Sequence, residues 1–480
     1  MNTTPAITSC LRNCIPSKSA VASWFRNLWK FAAASAVLAI AGSSLGQPAE
    51  GSNSSKPNVI FVMADDQGSV DAGCYGSTDV RTPAMDALAA QGVRFTQFYS
   101  AAPVCSPSRA GLLTGRCPWL VGMPNNAPTP PSEKDDDLDT FTGNGLTTNG
   151  INLPKMFKSA GYITAHIGKW HLGWGQGHKP LDQGFDYSFG FMGGCIDNYS
   201  HFDYWEGPNR QDLWENGRRV RLPGHFFPDL MIEKTEAFIG AHRDQPFFIY
   251  FAINVPHYPY QGDPKWLAYY KSNNVPYPRD LYAAWLSTLD DHLHQLIQFL
   301  DDSGLRGKTI VVYQSDNGYS TEERAHYGGG SSGPYRGAKF SVFDGGIRLP
   351  AIISWPGHLP QGQVRGQMAY ACDWLPTLAE LCGIELSARD LDGSSLTSVI
   401  RSADAPSPNK VLRWKLGKQW AVRQGPWKLL HQPNDTVSHE PVKLVDDQWF
   451  LANIDEDPGE QTNAAASHPD IVERLKKFAP

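Results

Sequence analysis

Four short runs of mainly apolar or β-branched residues, each cut off abruptly by polar ones, constrain this chain more than any other feature. Run 59–63 leads into Asp65 and Asp66, run 162–167 into Lys169 and His171, run 247–253 into His257, and run 310–313 into Asp316 and Asn317. Short continuous apolar runs of this kind read as parallel strands buried on both faces. Between them Tyr282, Trp285, Leu286, Leu289, Leu293, Leu296, Ile297 and Leu300 recur at helical spacing, and Asp301-Asp302-Ser303-Gly304 closes that helix. Strands alternating with helices predict a doubly wound α/β core. Open sheets of this class bind ligands just beyond the carboxyl ends of their strands, so the polar groups are expected to converge on one site.

At 480 residues the chain can bury one large core with a smaller companion. A formal net charge of -6 and no basic stripe argue against nucleic acid as a partner, so an anionic substrate must meet a local cationic cluster. At the N-terminus Arg12, Lys18, Arg26 and Lys30 precede an alanine-rich apolar run, 31–41, and the small residues around Ser44-Leu45-Gly46. That order reads as a secretory signal peptide over 1–46, with an uncleaved anchor as the alternative; the run is too short for an ordinary spanning helix. No second apolar stretch of spanning length follows, so the mature protein is expected to be exported, periplasmic or secreted, without stable membrane insertion. A linker over 47–56 then enters a main domain over 57–400. Beyond it, strand-like pieces at 419–430 and a final helix at 470–477 predict a smaller α+β subdomain over 401–480.

Loss of the leader removes Cys10 and Cys14 and leaves Cys74, Cys105, Cys117, Cys195, Cys372 and Cys382 in an oxidising compartment. If Cys105 is committed to chemistry an odd number remains, so at least one should be free or paired outside the chain. Cys372 and Cys382 could form a local disulfide unless a helix between them holds them apart. The stretch 125–150, rich in Pro, Gly, Asn and Asp, reads as a solvated loop. The glycine-rich link 328–334 lacks the Gly-Lys-Ser/Thr ending of a phosphate-binding loop.

Asp65, Asp66, Asp316 and Asn317 offer oxygen ligands from two strand ends, with no histidine or cysteine among them. Such a set suits a hard divalent cation, Ca2+ before Mg2+. A lone Asp-Asp pair is more often a capped turn; two pairs at two strand ends favour the cation. Lys169 and His171 stand on alternate residues, so an extended turn would point both the same way. His257 and Lys339, each alone, would read as structural or solvated. In Cys105-Ser106-Pro107-Ser108-Arg109 a cysteine stands where a helix begins: Pro107 suits a first turn and Ser106 can cap it. The unpaired N–H groups and helix dipole there favour an anion or a thiolate, and Arg109 would add a guanidinium fork for an oxyanion.

The string from Cys105 to Gly115 resembles, without departure, the signature of the type I sulfatases, Cys-x-Pro-Ser-Arg followed by Leu-x-Thr-Gly. The resemblance extends through Thr82-Pro83-Ala84-Met85-Asp86, the 168–173 segment, Pro256-His257, Arg336-Gly337-Ala338-Lys339, the segment from Asp344 to Pro350, and Asp457-Pro458-Gly459-Glu460. It implies an alkaline-phosphatase-like fold, a large mixed and mostly parallel sheet flanked by helices, with 57–400 as the catalytic domain. It also implies that a formylglycine-generating maturation enzyme oxidises Cys105 to formylglycine (3-oxoalanine), whose hydrated aldehyde is the nucleophile. Asp65, Asp66, Asp316 and Asn317 would then hold one Ca2+, joined by a sulfate oxygen. Lys169 would contact the hydrate and the sulfate, and His171 would take a proton from the hydrate. His257 and Lys339 would bind sulfate, one of them protonating the departing alcohol. By the same likeness an exported sulfatase implies a sulfated carbohydrate substrate. Two departures stand out: Asp344 occupies a position where the family often has Glu, and the acidic insertion ending near Gly150 is unusual.

Other functions fit parts of the pattern. A phosphomonoesterase or phosphodiesterase of the same superfold would more often use two zinc ions with several histidine ligands. A thiol hydrolase on Cys105 and His171 would not need so many cations. An unmodified Cys105 would leave a calcium-dependent module that binds sulfated glycans without cleaving them. Aromatics at 199–205, with Trp214 nearby, could stack on sugar faces or belong to the core.

Overall fold

The structure is a computed structural model, and it describes residues 56–130, 143–205, 210–386, 390–438 and 440–480. The signal peptide expected over 1–46, nearly all of the linker and the acidic run at 133–139 lie outside these residues. Residues 55–480 form one compact unit.

The four apolar runs are four neighbouring strands of one large sheet. Its members are β1 Asn58–Asp65, β2 Val93–Tyr99, β3 Ile163–Lys169, β4 Tyr187–Phe191, β5 Trp214–Glu215, β6 Arg218–Arg219, β7 Phe247–Pro256, β8 Thr309–Ser315, β9 Arg348–Ser354, β10 Gln363–Arg365 and β11 Ala369–Tyr370. They lie in the order β10-β2-β9-β8-β1-β7-β3-β4-β5-β6, with β11 beside β2. β8, β1, β7, β3 and β4 are parallel, whereas β9 runs antiparallel to both β8 and β2. The sheet is therefore mixed and mostly parallel. β2 escaped the apolar-run reading because its burial is broken by half-exposed residues.

Period-two alternation explains why both faces are covered. Val59, Phe61 and Met63 of β1 enter one core, with helices Cys105–Thr114 and Trp374–Leu381, while Ile60, Val62 and Ala64 enter the other. Helices Pro83–Ala90, Phe227–His242 and Arg279–Asp302 cover that second face. The last contains every apolar position expected at helical spacing. It ends in a Schellman motif: Gly304 has φ +68°, its N–H donates to Asp301 O, and Leu305 N–H donates to Leu300 O at 2.8 Å. With both faces filled by carbon, a strand can carry its charged groups only at its ends.

The C-terminal part is a four-stranded antiparallel sheet, β12 Leu412–Leu416, β13 Gln419–Gln424, β14 Trp427–His431 and β15 Trp449–Asn453, backed by helix Pro469–Lys476. Leu412, Trp414, Ala421, Leu430, Phe450 and Ala452 face the main core, and Val422, Leu429 and Leu451 face the helix. Helix Trp374–Leu381 stands between Cys372 and Cys382, and both are free thiols, as are the other four described cysteines. No helix among the described residues is long and apolar enough to cross a membrane.

A buried charge cluster ties this small sheet to the strand-end loops. Lys428 Nζ lies 2.7 Å from Asp344 Oδ1 and 3.0 Å from Glu460 Oε1, and Asp344 N–H donates to Glu460 Oε2 at 2.6 Å. Burial alone would raise Asp344, but Lys428, Arg348 and Arg423 outweigh it and hold the carboxyl at about 2. Burial raises Glu460 from its ordinary 4.5 to about 7 against Lys428, and the charge of Asp344 adds to the rise. The folded protein thus holds this proton more tightly than the unfolded chain. Its contribution to stability is complete below pH 4.5 and is lost as the pH rises through about 7. Glu460→Gln removes the titration, so the variant should gain stability relative to wild type across that interval, by on the order of 3 kcal/mol. Urea unfolding of both proteins across the interval checks this; a constant difference would contradict it.

Candidate active site

Register brings the polar strand ends together. β1 and β8 pair Ala64 with Ser315, and β1 and β7 pair Asp65 with Pro256. Asp65-Asp66, Asp316-Asn317 and His257 therefore emerge along one edge, with Lys169 at the end of β3. Gly168 has φ +119°, and a Cβ there would lie 2.0 Å from Ala252 O, so only glycine lets Lys169 arrive at this depth. Asp66 leaves β1 in the left-handed region at φ +66°. It is held there by its own N–H, which donates to Asp316 Oδ1 at 3.1 Å, and by Asn317 Nδ2, which donates to its Oδ1 at 2.6 Å.

Cys105 is the first residue of helix Cys105–Thr114, as expected, but Ser106 does not cap it. The residue before the helix is Val104, extended at φ -158°; Ser106 is already helical and cannot serve. Its N–H instead donates to Asn126 Oδ1 and its Oγ accepts from Ala127 N–H, so the loop after the helix supports the first turn. Residues 126–127 fall in the stretch expected to be a solvated loop, but Ala127 is buried. Ser108 Oγ donates to Asp316 O at 2.6 Å, which explains its place in the string. His171 departs from expectation in its backbone: at φ +53° it is not extended, so alternation does not align it with Lys169. The turn still buries its ring beside the cluster, where the charges of Lys169, Arg109 and Lys339 are felt.

Three carboxylates face three cations. Lys169 Nζ lies 2.9 and 2.8 Å from the two oxygens of Asp65, and Lys339 Nζ lies 2.8 Å from Asp66 Oδ2. Arg109, fully buried, directs Nε and Nη2 to Asp316 Oδ2 at 3.1 and 2.8 Å, with Nη2 also 3.3 Å from Asp65 Oδ1. Its fork is thus occupied by carboxylates rather than open to an oxyanion. His257 donates from Nδ1 to Tyr258 O at 2.7 Å, leaving Nε2 to accept from Lys339 Nζ at 3.3 Å. Burial, with Lys339 and Lys169 nearby, keeps His257 neutral, far below the usual imidazole range; burial and Lys169 do the same for His171. His171 Nδ1 is buried without a partner among the described residues.

Burial pushes the Cys105 thiol up to about 12 in spite of Lys169 and Lys339, overriding the helix terminus that would favour a thiolate. Its Sγ lies 3.8 Å from Asp65 Oδ1. Burial also raises Asp66 to about 7 despite Lys339, with Asp65 and Asp316 adding to the rise. A cation at these oxygens would relieve that repulsion.

The donor set fits such an ion. Asp65, Asp66, Cys105 and His257 bring one ligand atom each to within 4.8 Å of one another. Thiol and imidazole are poor ligands for a hard ion, and the oxygen set is completed by Asp316 and by Asn317, whose Oδ1 is buried with no partner among the described residues. The four predicted ligands and Cys105, Arg109, Lys169, His171, His257 and Lys339 all meet in this one cluster. With a divalent ion its net charge is positive, which suits an anionic ester and not a peptide carbonyl.

A sheet of this order with an oxygen-rich cluster at its carboxyl edge belongs to the alkaline-phosphatase-like superfold. The family model described as Sulfatase matches residues 57–384. Arylsulfatase A of Homo sapiens is 30% identical over 88% of this chain and 87% of its own length, and the N-acetylgalactosamine-6-sulfatase of Sus scrofa is 34% identical over 88% and 84%. The crystal structure of Ps i-CgsB in complex with k-i-k-neocarrahexaose superposes with a TM-score of 0.76 at 28% identity, covering 88% of this chain and 92% of that one. The chain belongs to the sulfatase family, enzymes that hydrolyse sulfuric esters.

Proposed function

We propose that this chain removes sulfate from carbohydrate sulfate esters, using a formylglycine derived from Cys105 beside one calcium ion. The observation that carries the reading is the burial of Cys105 among three carboxylates and three cations, with the thiol too basic to act as a thiolate. Oxidised, residue 105 would supply a hydrate with two hydroxyls, one to displace the alcohol from sulfur and one whose deprotonation returns the aldehyde and releases sulfate. Asp65, Asp66, Asp316 and Asn317 would hold the ion, which polarises a sulfate oxygen.

The chain's own groups account for the protons. His257 Nε2 can only accept, so the acid proton rests on Lys339, and His257 orients the ammonium that delivers it to the leaving alcohol. His171, neutral and unpartnered at Nδ1, is suited to take the proton of the second hydroxyl. Arg109 braces Asp316 and Asp65, and Lys169, paired with Asp65, stands where it can reach both nucleophile and ester.

The carbohydrate assignment draws on relatives named for N-acetylgalactosamine 6-sulfate and on Ps i-CgsB crystallised with neocarrahexaose. The leader at 1–46 supports export to the periplasm or medium, after a formylglycine-generating enzyme has acted. The first test is the rate of matured protein on 4-nitrophenyl sulfate and 4-nitrophenyl phosphate. Sulfate should be preferred in kcat/KM by on the order of 100-fold. Activity should fall on chelation and return with Ca2+; preference for phosphate, restored by zinc, would identify a phosphatase instead.

A further inference from the structure

Tyr204, Trp205 and Arg324 form a cluster beside the charged site that the chemistry above leaves unused. Trp205 is 44% exposed and meets Tyr258, the residue after His257, edge-on with ring centroids 5.8 Å apart. Gly194 separates it from the histidine read as base: a Cβ there would lie 3.2 Å from His171 Cε1 and 3.5 Å from Trp205 Nε1. The guanidinium carbon of Arg324 stands 4.1 Å from the Trp205 ring centroid and 5.5 Å from that of Tyr204, and Nη1 donates to Tyr204 O at 3.3 Å. Two residues earlier on the same loop, Glu322 lies 3.6 Å from Lys339 Nζ. By contrast Trp214 is buried under Arg219, and Tyr199 stacks on Phe226. Of the aromatics noted in the sequence, Tyr204 and Trp205 both meet Tyr258, and Trp205 is the exposed one of the two.

Stacking on an indole orders a guanidinium without neutralising it. Arg324 is exposed, and among the described residues no ion pair joins it to a carboxylate. A cation so held, beside but outside the buried charge cluster, has its remaining N–H groups free for a planar or tetrahedral oxyanion. We infer that Arg324, held by Trp205 and Tyr204, binds a second anionic group, a carboxylate or a sulfate, on the sugar next to the one that loses sulfate. Resting on the sulfatase reading, this makes the preferred substrate a glycan with anionic neighbouring units rather than an isolated sulfated sugar.

The test is competition against 4-nitrophenyl sulfate hydrolysis by three probes. They are N-acetylgalactosamine 6-sulfate, a chondroitin 6-sulfate disaccharide whose neighbour is a uronate, and a carrageenan disaccharide with sulfate on both sugars. At least one two-anion probe should bind about tenfold more tightly than the monosaccharide, and which one does so distinguishes carboxylate from sulfate. Arg324→Ala should abolish that advantage without changing KM for 4-nitrophenyl sulfate, and Trp205→Ala should weaken it. An advantage that persists in Arg324→Ala, or no advantage in wild type, would overturn the inference. Failure of wild type to hydrolyse 4-nitrophenyl sulfate counts against the sulfatase reading alone. The probes are then titrated by tryptophan fluorescence, where affinity dependent on Arg324 supports the site and affinity independent of it refutes it.

Discussion

Cys105→Ala should lower kcat on sulfate esters by on the order of 10^4-fold or more, because it deletes the atom that carries the nucleophile. Cys105→Ser should fail differently. A serine hydroxyl can attack sulfur once, but the ester it forms has no second hydroxyl to deprotonate, so release must wait for water. The expected result is a burst of about one alcohol per enzyme, followed by a serine carrying sulfate that intact-protein mass spectrometry would detect. The substitution is nearly isosteric at a buried helix start, so loss of fold is not the expected cause of inactivity. Repeated turnover by Cys105→Ser at the wild-type rate would show that the aldehyde is unnecessary.

The second large effect is expected at Lys339, and it depends on the leaving group. Lys339→Met removes the ammonium proposed as the acid, which lies against His257 Nε2, while keeping most of the volume of a side chain that is only 2% exposed. A sugar alcohol cannot depart without a proton, so kcat on a carbohydrate sulfate should fall by about 10^2- to 10^4-fold. 4-Nitrophenol departs as a stable anion, and kcat on its sulfate should fall far less. Rates of both substrates with wild type and variant decide the matter. Equal losses would mean that Lys339 serves only to balance Asp66, from which it lies 2.8 Å away.

The positions of the chemistry were legible because a strand buried on both faces has nowhere but its ends for charge. β1, β3, β7 and β8 deliver Asp65, Lys169, His257 and Asp316 by this single rule, and their adjacency is the sheet order itself. The failures share a cause as well. Ser106, Asn126 and Ala127 are joined by contacts that no local preference encodes, since the helix start depends on which residue the preceding loop leaves extended. Arg109 looked like an anion fork because its partners, Asp316 and Asp65, come from other strands. The pairing of Asp344 with Lys428 and Glu460 links residues 84 and 116 positions apart, which only the docked small sheet brings together. Trp205 and Arg324 are likewise far apart in sequence, and exposure was needed to tell Trp205 from the buried Trp214.

These partners make the formylglycine reading specific. Among the described residues the cluster offers no histidine-rich second metal site, and its thiol is held protonated by burial. Both points are in keeping with the proposal that residue 105 is chemically changed before the site works. The most direct measurement is the aldehyde content of the tryptic peptide containing residue 105, followed across preparations from hosts with and without a formylglycine-generating enzyme and set against 4-nitrophenyl sulfate turnover in the same samples. Activity should rise in proportion to the fraction of residue 105 present as aldehyde and vanish at zero. Full activity in protein whose Cys105 is an intact thiol would contradict the account.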